Sequence, residues 1–483
     1  MHLTTTVDRP CQLPDMPGMD TVTDLDNFYL DILGQQPRLH IYTPLCLCFL
    51  VADPSSHSAI VNTLTKGLER LSASFPWVAG QVVNEGAGER NTGIFKIKPL
   101  ERIPRLVVKD LRHDPSIPTM DELRQANFPS RMLDESVIAP RRTIPSPEES
   151  GSVTPVFLLQ ANFITGGLLL TFLSQHQTMD MTGHGQVMDL LSKACRNEPF
   201  TSTELSTGNL VRRNLTPILD ESCKQDSEID SQIVKAISSQ PDSNETINHP
   251  GPPPPPPKTT WASFSCHPVS LAALKSIATE TITLPSGYIS TDDALSAFIW
   301  QSIARARIPR LDPTAVVKLA RVVDTRRFLG IPLTYPGCVV NKTSHAYPLQ
   351  ELVEEPLGGI ASNLRVALDP QTSTLGYRSR ALATFLDRAP DKSNIPFLAM
   401  FDSSVDVTVS SWATVDSYEL DFNLGLGKPE AVRRPQFIPL EGLVYLMPRR
   451  TDGEITIVIC LRDEDMERLR ADEEFAKYAK YVG

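Results

Sequence analysis

Six consecutive prolines, Pro252 to Pro257, constrain the fold of this chain more than any other feature. Such a run adopts an extended polyproline helix and joins neither a helix interior nor the middle of a sheet. Folded structure must therefore lie on either side of it. The stretch before it, from about residue 198, is polar as well, so residues 201–258 read as a semi-rigid crossover linker. Docking of a partner's proline-recognising module is the lesser reading of the same run. The linker separates an N-terminal domain over residues 1–200 from a C-terminal domain over 259–483. A chain of 483 residues is too long for one compact core and suits two domains of ordinary size.

With 41% hydrophobic and 21% charged residues, the composition is globular rather than disordered. The formal net charge of -11 repels polyphosphate at long range and argues against a nucleic-acid partner. A local basic patch could still hold one phosphorylated cofactor. The first 20 residues lack the apolar core of a secretory signal. The most apolar early run, Pro44 to Ala52, is far shorter than the roughly 20 residues of a spanning helix. The eight cysteines are scattered and form no C-x-x-C pair, which suits reduced thiols in the cytoplasm. Cys46 and Cys48 share a strand face and are badly placed to bridge each other.

The apolar, β-branched stretch His40 to Val51 predicts a buried strand. Ile60, Leu64, Leu68 and Leu71 recur at helical spacing, predicting an amphipathic helix over 58–74 that stops at Phe75-Pro76. Strand and helix are expected to alternate as far as about residue 200, with an exposed loop over 142–152. In the second half, Ser290 or Thr291 caps a helix whose first turn holds Asp292 and Asp293. Asp452-Gly453 joins two apolar runs as a hairpin, and residues 463–481 read as a closing helix.

The chemistry concentrates at His176. Gly166 to Leu173 is a continuous apolar run that reads as a core strand. Ser174-Gln175-His176-Gln177-Thr178-Met179-Asp180 follows, and Val187, Leu190, Leu191 and Ala194 mark the next helix. His176 thus sits past a strand end, where α/β proteins place chemistry. A hydroxyl is a poor nucleophile until its proton is being removed, and imidazole, with a pKa near ~6.5, suits that task. On spacing alone, a structural histidine with satisfied hydrogen bonds is the commoner explanation. His176, Asp180 and His184 are each four apart, which invites a metal reading. That reading needs the whole segment to be helical, against the strand before His176, and no further ligand completes a familiar set.

Leu173-Ser-Gln-His176-Gln-Thr-Met-Asp180 resembles the H-x-x-x-D motif of the BAHD acyltransferases. Asp421-Phe422-Asn423-Leu424-Gly425-Leu426-Gly427-Lys428-Pro429-Glu430-Ala431-Val432 resembles that family's D-F-G-W-G-K-P-E-A-V motif, in the longer form of the fungal branch that includes the trichothecene O-acetyltransferases. Asn423 stands where a glycine is usual and Leu424 where tryptophan is common. Phe75 to Gly80, Ser290 to Trp300, and Val323-Asp324-Thr325-Arg326-Arg327 resemble three further family stretches, so five motifs in order span nearly the whole chain.

The resemblance implies an α/β fold of two chloramphenicol-acetyltransferase-like domains, each a mixed β-sheet with flanking helices, and a solvent channel between them. It implies an acyl-CoA-dependent O-acyltransferase that works as a monomer, without a permanent cofactor or metal. Acetyl-CoA is the expected co-substrate, and a hydroxyl of a terpenoid or polyketide secondary metabolite the expected acceptor. His176 is the general base in a ternary complex without a covalent acyl-enzyme. Asp180 pairs with Arg326 as a structural brace. Ser410 and Trp412 donate to the oxyanion, one such donor being worth about 3 kcal/mol of barrier. Asp421, Gly425 and Gly427 shape a loop, and Ser290, Thr291, Arg327 and Lys428 are candidate CoA contacts. Two other readings stay open: a condensation-type enzyme fed by a carrier protein, and a non-catalytic small-molecule-binding relative.

Overall fold

The computed structural model describes residues 28–146, 149, 151–220, 257–284, 287–393, 395 and 401–483. Pro252 to Pro256 lie outside the described residues, so the polyproline reading is not addressed by the fold. Three sheets organise the rest. The first is small: β1 (Phe28–Tyr29), β3 (Gln81–Glu85) and β4 (Ile94–Lys98), in the order β1-β4-β3.

The second sheet contains β2 (Tyr42–Leu50), β5 (Arg105–Asp110), β6 (Phe157–Ile164), β7 (Gly167–Gln175) and β12 (Ala431–Arg433), in the order β12-β2-β7-β6-β5. Only the β5–β6 pair is parallel. β7 is central, paired on both edges, and all nine of its residues are buried, which is why its sequence is apolar without alternation. β2 divides its side chains by the period of two. Leu45, Leu47 and Phe49 face the main core, while Cys46 and Cys48 face a smaller one with Met120, Leu123 and Leu169. Helices α1 (His57–Ser74) and α2 (Met181–Cys195) pack together over the main core through Leu64, Leu68, Val187 and Leu191. The expected strand–helix alternation gives way to three successive strands, β3 to β5, and to the β6–β7 hairpin.

The third sheet has seven strands: β8 (Thr259–Cys266), β9 (Val316–Asp324), β10 (Val340–Pro348), β11 (Val407–Ser411), β13 (Leu443–Leu446), β14 (Ile455–Arg462) and β15 (Lys480–Tyr481). Their order is β10-β9-β11-β13-β14-β8-β15, with β11 parallel to both neighbours. The β13–β14 hairpin turns at Gly453, whose φ of 94° is left-handed. Helix α4 (Pro268–Glu280) and the buried helix α5 (Thr291–Arg307) cover this sheet.

Several expected boundaries shift. Residues 201–220 are not linker. Thr201 and Glu204 form a capping box that starts helix α3 (Ser202–Gly208), and Leu210, Arg212, Leu215 and Leu219 are buried beyond it. β12 crosses from the second half of the sequence into the sheet of the first, pairing Val432 with Leu47. The closing helix is two, Asp463–Ala471 and Glu473–Tyr478, because Asp472 turns out of the first and caps the second. In the expected exposed loop over 142–152, Thr143 is instead buried, its amide and hydroxyl both bonded to the Glu135 carboxylate. The six described cysteines are free thiols. Among the described residues no helix is long and apolar enough to cross a membrane.

Candidate active site

His176 is the first residue after β7, and its amide bonds to the Ile41 carbonyl at 2.9 Å. The loop behind it is tied at several points. The Thr178 hydroxyl bonds the Gln175 carbonyl at 2.6 Å, and the Gln177 amide donates to Gly34 and Gln36 carbonyls at 3.0 and 3.2 Å. Gly34 cannot be replaced cheaply, because a Cβ there would lie 2.2 Å from the Gln177 carbonyl oxygen. Arg212, buried against Trp77 and Phe28, donates to the Thr178 carbonyl.

Asp180 ends this loop and starts α2. Its Oδ1 accepts from the Gly183 amide at 2.8 Å, capping the helix, and its Oδ2 accepts from the Val339 amide at 2.8 Å. Arg326 completes the set, with Nη1 2.9 Å from Oδ2 and Nη2 3.0 Å from Oδ1. Both side chains are fully buried. Arg326 also bonds the carbonyls of Tyr335 and Gly337 at 3.0 and 2.7 Å and Asp324 at 2.8 Å. The expected Asp180–Arg326 pair is therefore formed. It locks the His176 loop to the second half of the chain and leaves the carboxylate no position for a metal. His184 is enclosed, edge-on to Phe157, with both ring nitrogens buried. Among the described residues no group of three or more His, Cys, Asp or Glu is placed to hold a metal ion.

His176 lines a cavity of about 1290 Å³ built from both halves of the chain. Its Nδ1 is buried toward the loop backbone, so Nε2 is the ring nitrogen left to the cavity. Burial pushes its pKa below the usual histidine value, opposed by the backbone of His176 and Met179 and by the Asp180 charge, with the Arg434 cation adding least. The imidazole is thus held neutral, the form a general base requires.

Ser410 and Trp412 line the same cavity. Ser410 stands in register with Tyr445 on β13 and Val322 on β9. The Trp412 indole nitrogen, however, donates to Ser410 Oγ at 3.1 Å. An indole has one N–H, so Trp412 is spent on Ser410 and does not face an oxyanion itself. It leaves the Ser410 hydroxyl proton free to do so. Ser290 and Thr291 also line the cavity, though Ser290 is committed to a capping box with Asp293 at the start of α5.

The other candidates lie elsewhere. Arg327 is exposed on the short helix Arg326–Leu329 and does not line the cavity. Lys428 is exposed, paired with Glu419, and does not line the main cavity. Asp421 lines a second cavity of about 570 Å³, which shares Thr182 and Thr414 with the first. Its carbonyl accepts from Ser192 and Arg196, and its carboxylate from the Asn423 amide. Gly425 and Gly427 have φ of 74° and 70°, and Asn423 has φ of 54°, the left-handed region that asparagine tolerates best after glycine.

Sequence reading missed several lining residues. Lys275, Tyr288 and Arg321 stand beside Ser290, and Lys275 and Arg365 each lie 5.5 Å from the Tyr288 ring. Thr143, Ile144, Arg434, Phe437 and Tyr445 form another part of the wall. Only Arg434 carried a usable signal, as the second of two arginines that follow the Gly-Lys-Pro-Glu-Ala-Val stretch; the others arrive from distant segments.

Residues 41–195 match the trichothecene 3-O-acetyltransferase-like N-terminal domain, and residues 135–476 match the Transferase family. The O-acetyltransferase dmxR13 of Cryptosporiopsis sp. (strain 8999) is 57% identical, covering 95% of this chain and 98% of that protein. The trichothecene 3-O-acetyltransferase TRI101 of Fusarium sporotrichioides is 51% identical over 94% of this chain and 97% of its own. The crystal structure of F. graminearum TRI101 complexed with coenzyme A and deoxynivalenol superposes with a TM-score of 0.89 at 48% identity, covering 94% of this chain and 99% of that one.

Proposed function

Since the chain belongs to the Transferase family of acyltransferases, we propose that it takes acetyl-CoA as co-substrate and moves the acetyl group to a hydroxyl of a secondary metabolite, a terpenoid or polyketide alcohol, with His176 as general base. The acceptor and CoA bind together. Nε2 of His176 takes the hydroxyl proton as the acceptor oxygen attacks the thioester carbonyl carbon. The carbonyl oxygen becomes an oxyanion that the Ser410 hydroxyl stabilises. The intermediate collapses by breaking the C–S bond, and the imidazolium returns its proton to the departing thiolate. No acyl-enzyme forms.

The observation that carries this reading is a histidine with one ring nitrogen open to a cavity that also holds the Ser410 hydroxyl, which accepts from the Trp412 indole. Relatives named as O-acetyltransferases, and a related structure with both coenzyme A and a small molecule bound, support the substrate pairing. Free thiols at the six described cysteines support a reducing, cytoplasmic setting, and one chain supplies a whole cavity, which suits a monomer.

The test is incubation of the protein with acetyl-CoA and a panel of terpenoid and polyketide alcohols, following gain of one acetyl group by mass. His176→Ala should lose turnover by about a thousandfold or more while keeping its fold and CoA affinity. Undiminished product formation by that variant would overturn the base assignment.

A further inference from the structure

Five cations line the main cavity: Arg38, Lys275, Arg321, Arg434 and Arg449. Arg38 and Arg449 are exposed, and Lys275 is half-buried. Arg321 is buried but neutralised, with Nη1 2.6 Å from Asp293 and Nη2 on Asp292. Arg434 differs from all of these. It is 4% exposed and forms no ion pair with a carboxylate among the described residues. Its Nη2 donates to Thr143 Oγ1 at 3.0 Å and its Nη1 to the Pro435 carbonyl at 3.2 Å, while Nε is buried without a partner. Glu135 does not touch it: its carboxylate accepts from the Thr143 hydroxyl and amide at 2.6 and 2.8 Å and attracts the guanidinium through space.

The Glu135 charge and the Tyr445 hydroxyl attract it, but a buried cation with no carboxylate in direct contact stays unfavourable unless something supplies the missing charge. This one is also held rigidly. The guanidinium lies 3.6 Å from the Phe437 ring centre and 5.1 Å from that of Tyr445. Tyr445 in turn is the cross-strand neighbour of Ser410 and packs 4.8 Å from Trp412. The cation is therefore one ring away from Ser410 and Trp412, in the cavity that His176 also lines. Around it the wall is aromatic and aliphatic, with Phe437, Tyr445, Ile144, Leu440 and Leu443.

We propose that Arg434 is the acceptor-recognising residue of this cavity, and that it selects alcohols carrying an anionic oxygen (an ionised enol, phenol or carboxylate) on a fused-ring body. The inference rests on the acyl-transfer reading and specifies its acceptor. The flat rings of such a molecule lie along the apolar wall of Ile144, Leu440 and Leu443. Its anionic oxygen accepts from the remaining Nη hydrogens of the guanidinium, and its free hydroxyl reaches His176. Ring-stacked arginine gives both the charge and the planar fork that an oxyanion fits.

The experiment uses three matched probes: 6-(hydroxymethyl)-2-naphthoate, its methyl ester, and 2-(hydroxymethyl)-6-methylnaphthalene. Binding to the CoA-loaded protein is measured by calorimetry, and kcat/KM by acetyl transfer, for the natural chain, Arg434→Met and Arg434→Lys. The naphthoate should bind about tenfold or more tightly than the other two. Arg434→Met should erase that preference and Arg434→Lys retain part of it, with the KM for acetyl-CoA little changed. Equal affinity of the natural chain for naphthoate and ester, or a preference that survives in Arg434→Met, overturns the assignment. CoA affinity reports the fold of each variant, and should both variants lose it, the ranking of the three probes by the natural chain decides alone. Arg434-dependent binding of the naphthoate without acetylation would remove the acyl-transfer reading and keep this one; acetylation with no charge preference would do the reverse.

Discussion

The indole of Trp412 shows how one hydrogen bond redistributes roles at a site. Because its N–H is given to Ser410 Oγ, the hydroxyl can direct its own proton into the cavity beside His176. On the acyl-transfer reading, Trp412 acts only through Ser410. Ser410→Ala should therefore lower kcat by about 100- to 1000-fold, with the KM for acetyl-CoA nearly unchanged. Trp412→Phe should cost less, since the hydroxyl remains but loses its orientation. The discriminating measurement is the double variant. It should be no slower than Ser410→Ala alone, because removing the hydroxyl already removes what the indole acts on. Strictly multiplicative losses would instead mean that Trp412 donates independently. The same economy of position applies to Asp180, whose two oxygens serve a helix cap, a distant amide and Arg326 at once.

At the scale of elements, the loop from Asp421 to Glu430 is set by backbone conformation rather than by space. A Cβ at Gly425 or Gly427 would meet nothing within 4 Å, yet both residues have positive φ. Gly427→Ala should thus destabilise by about 1 kcal/mol through strain alone. Asn423→Gly should be near neutral. Denaturant midpoints would register the difference, and CoA affinity should follow neither change, since Asn423, Gly425 and Gly427 do not line the main cavity. The same loop explains what a sequence can disclose. The motif and its order were legible, and so were β7 and α1, because their apolar periods are long and local. Asp180 and Arg326 were legible only as a pair of motifs; nothing local says that residues 146 apart touch. Residues 202–219 were misread because their polar composition outweighed the capping box at Thr201 and Glu204. The contacts that bury Arg212, to Trp77 and the Thr178 carbonyl, are entirely non-local. Arg434 and Thr143 meet across a separation of 291 residues, so no window of sequence could have joined them.

For the whole molecule, the two halves are stitched by β12 and by the Asp180–Arg326 pair, and each half buries a neutral histidine. His184 lies beneath the second sheet, against Phe157 on β6, with its pKa pushed down to about 3, chiefly by burial. His345 lies on β10, held by Asn363 at 2.7 Å and Thr343 at 3.1 Å, with burial bringing its pKa down to about 4. Both folded values lie below the unfolded value of 6.5. Above that value both states are neutral and neither histidine affects stability. Below it the unfolded chain takes up protons that the folded chain refuses, so stability falls with falling pH until the folded values are reached. At pH 5 the loss is about 2 kcal/mol for each histidine. Urea unfolding at pH 7, 6 and 5 should show this decline. His184→Leu and His345→Gln should each lower its slope by about one proton. If the stitches make the halves a single cooperative unit, either substitution flattens the same single transition. Two transitions, each responding to only one of the substitutions, would mean that β12 and the Arg326 brace fail to couple the halves. A slope unchanged in His184→Leu would mean that this imidazole is not held neutral in the folded core.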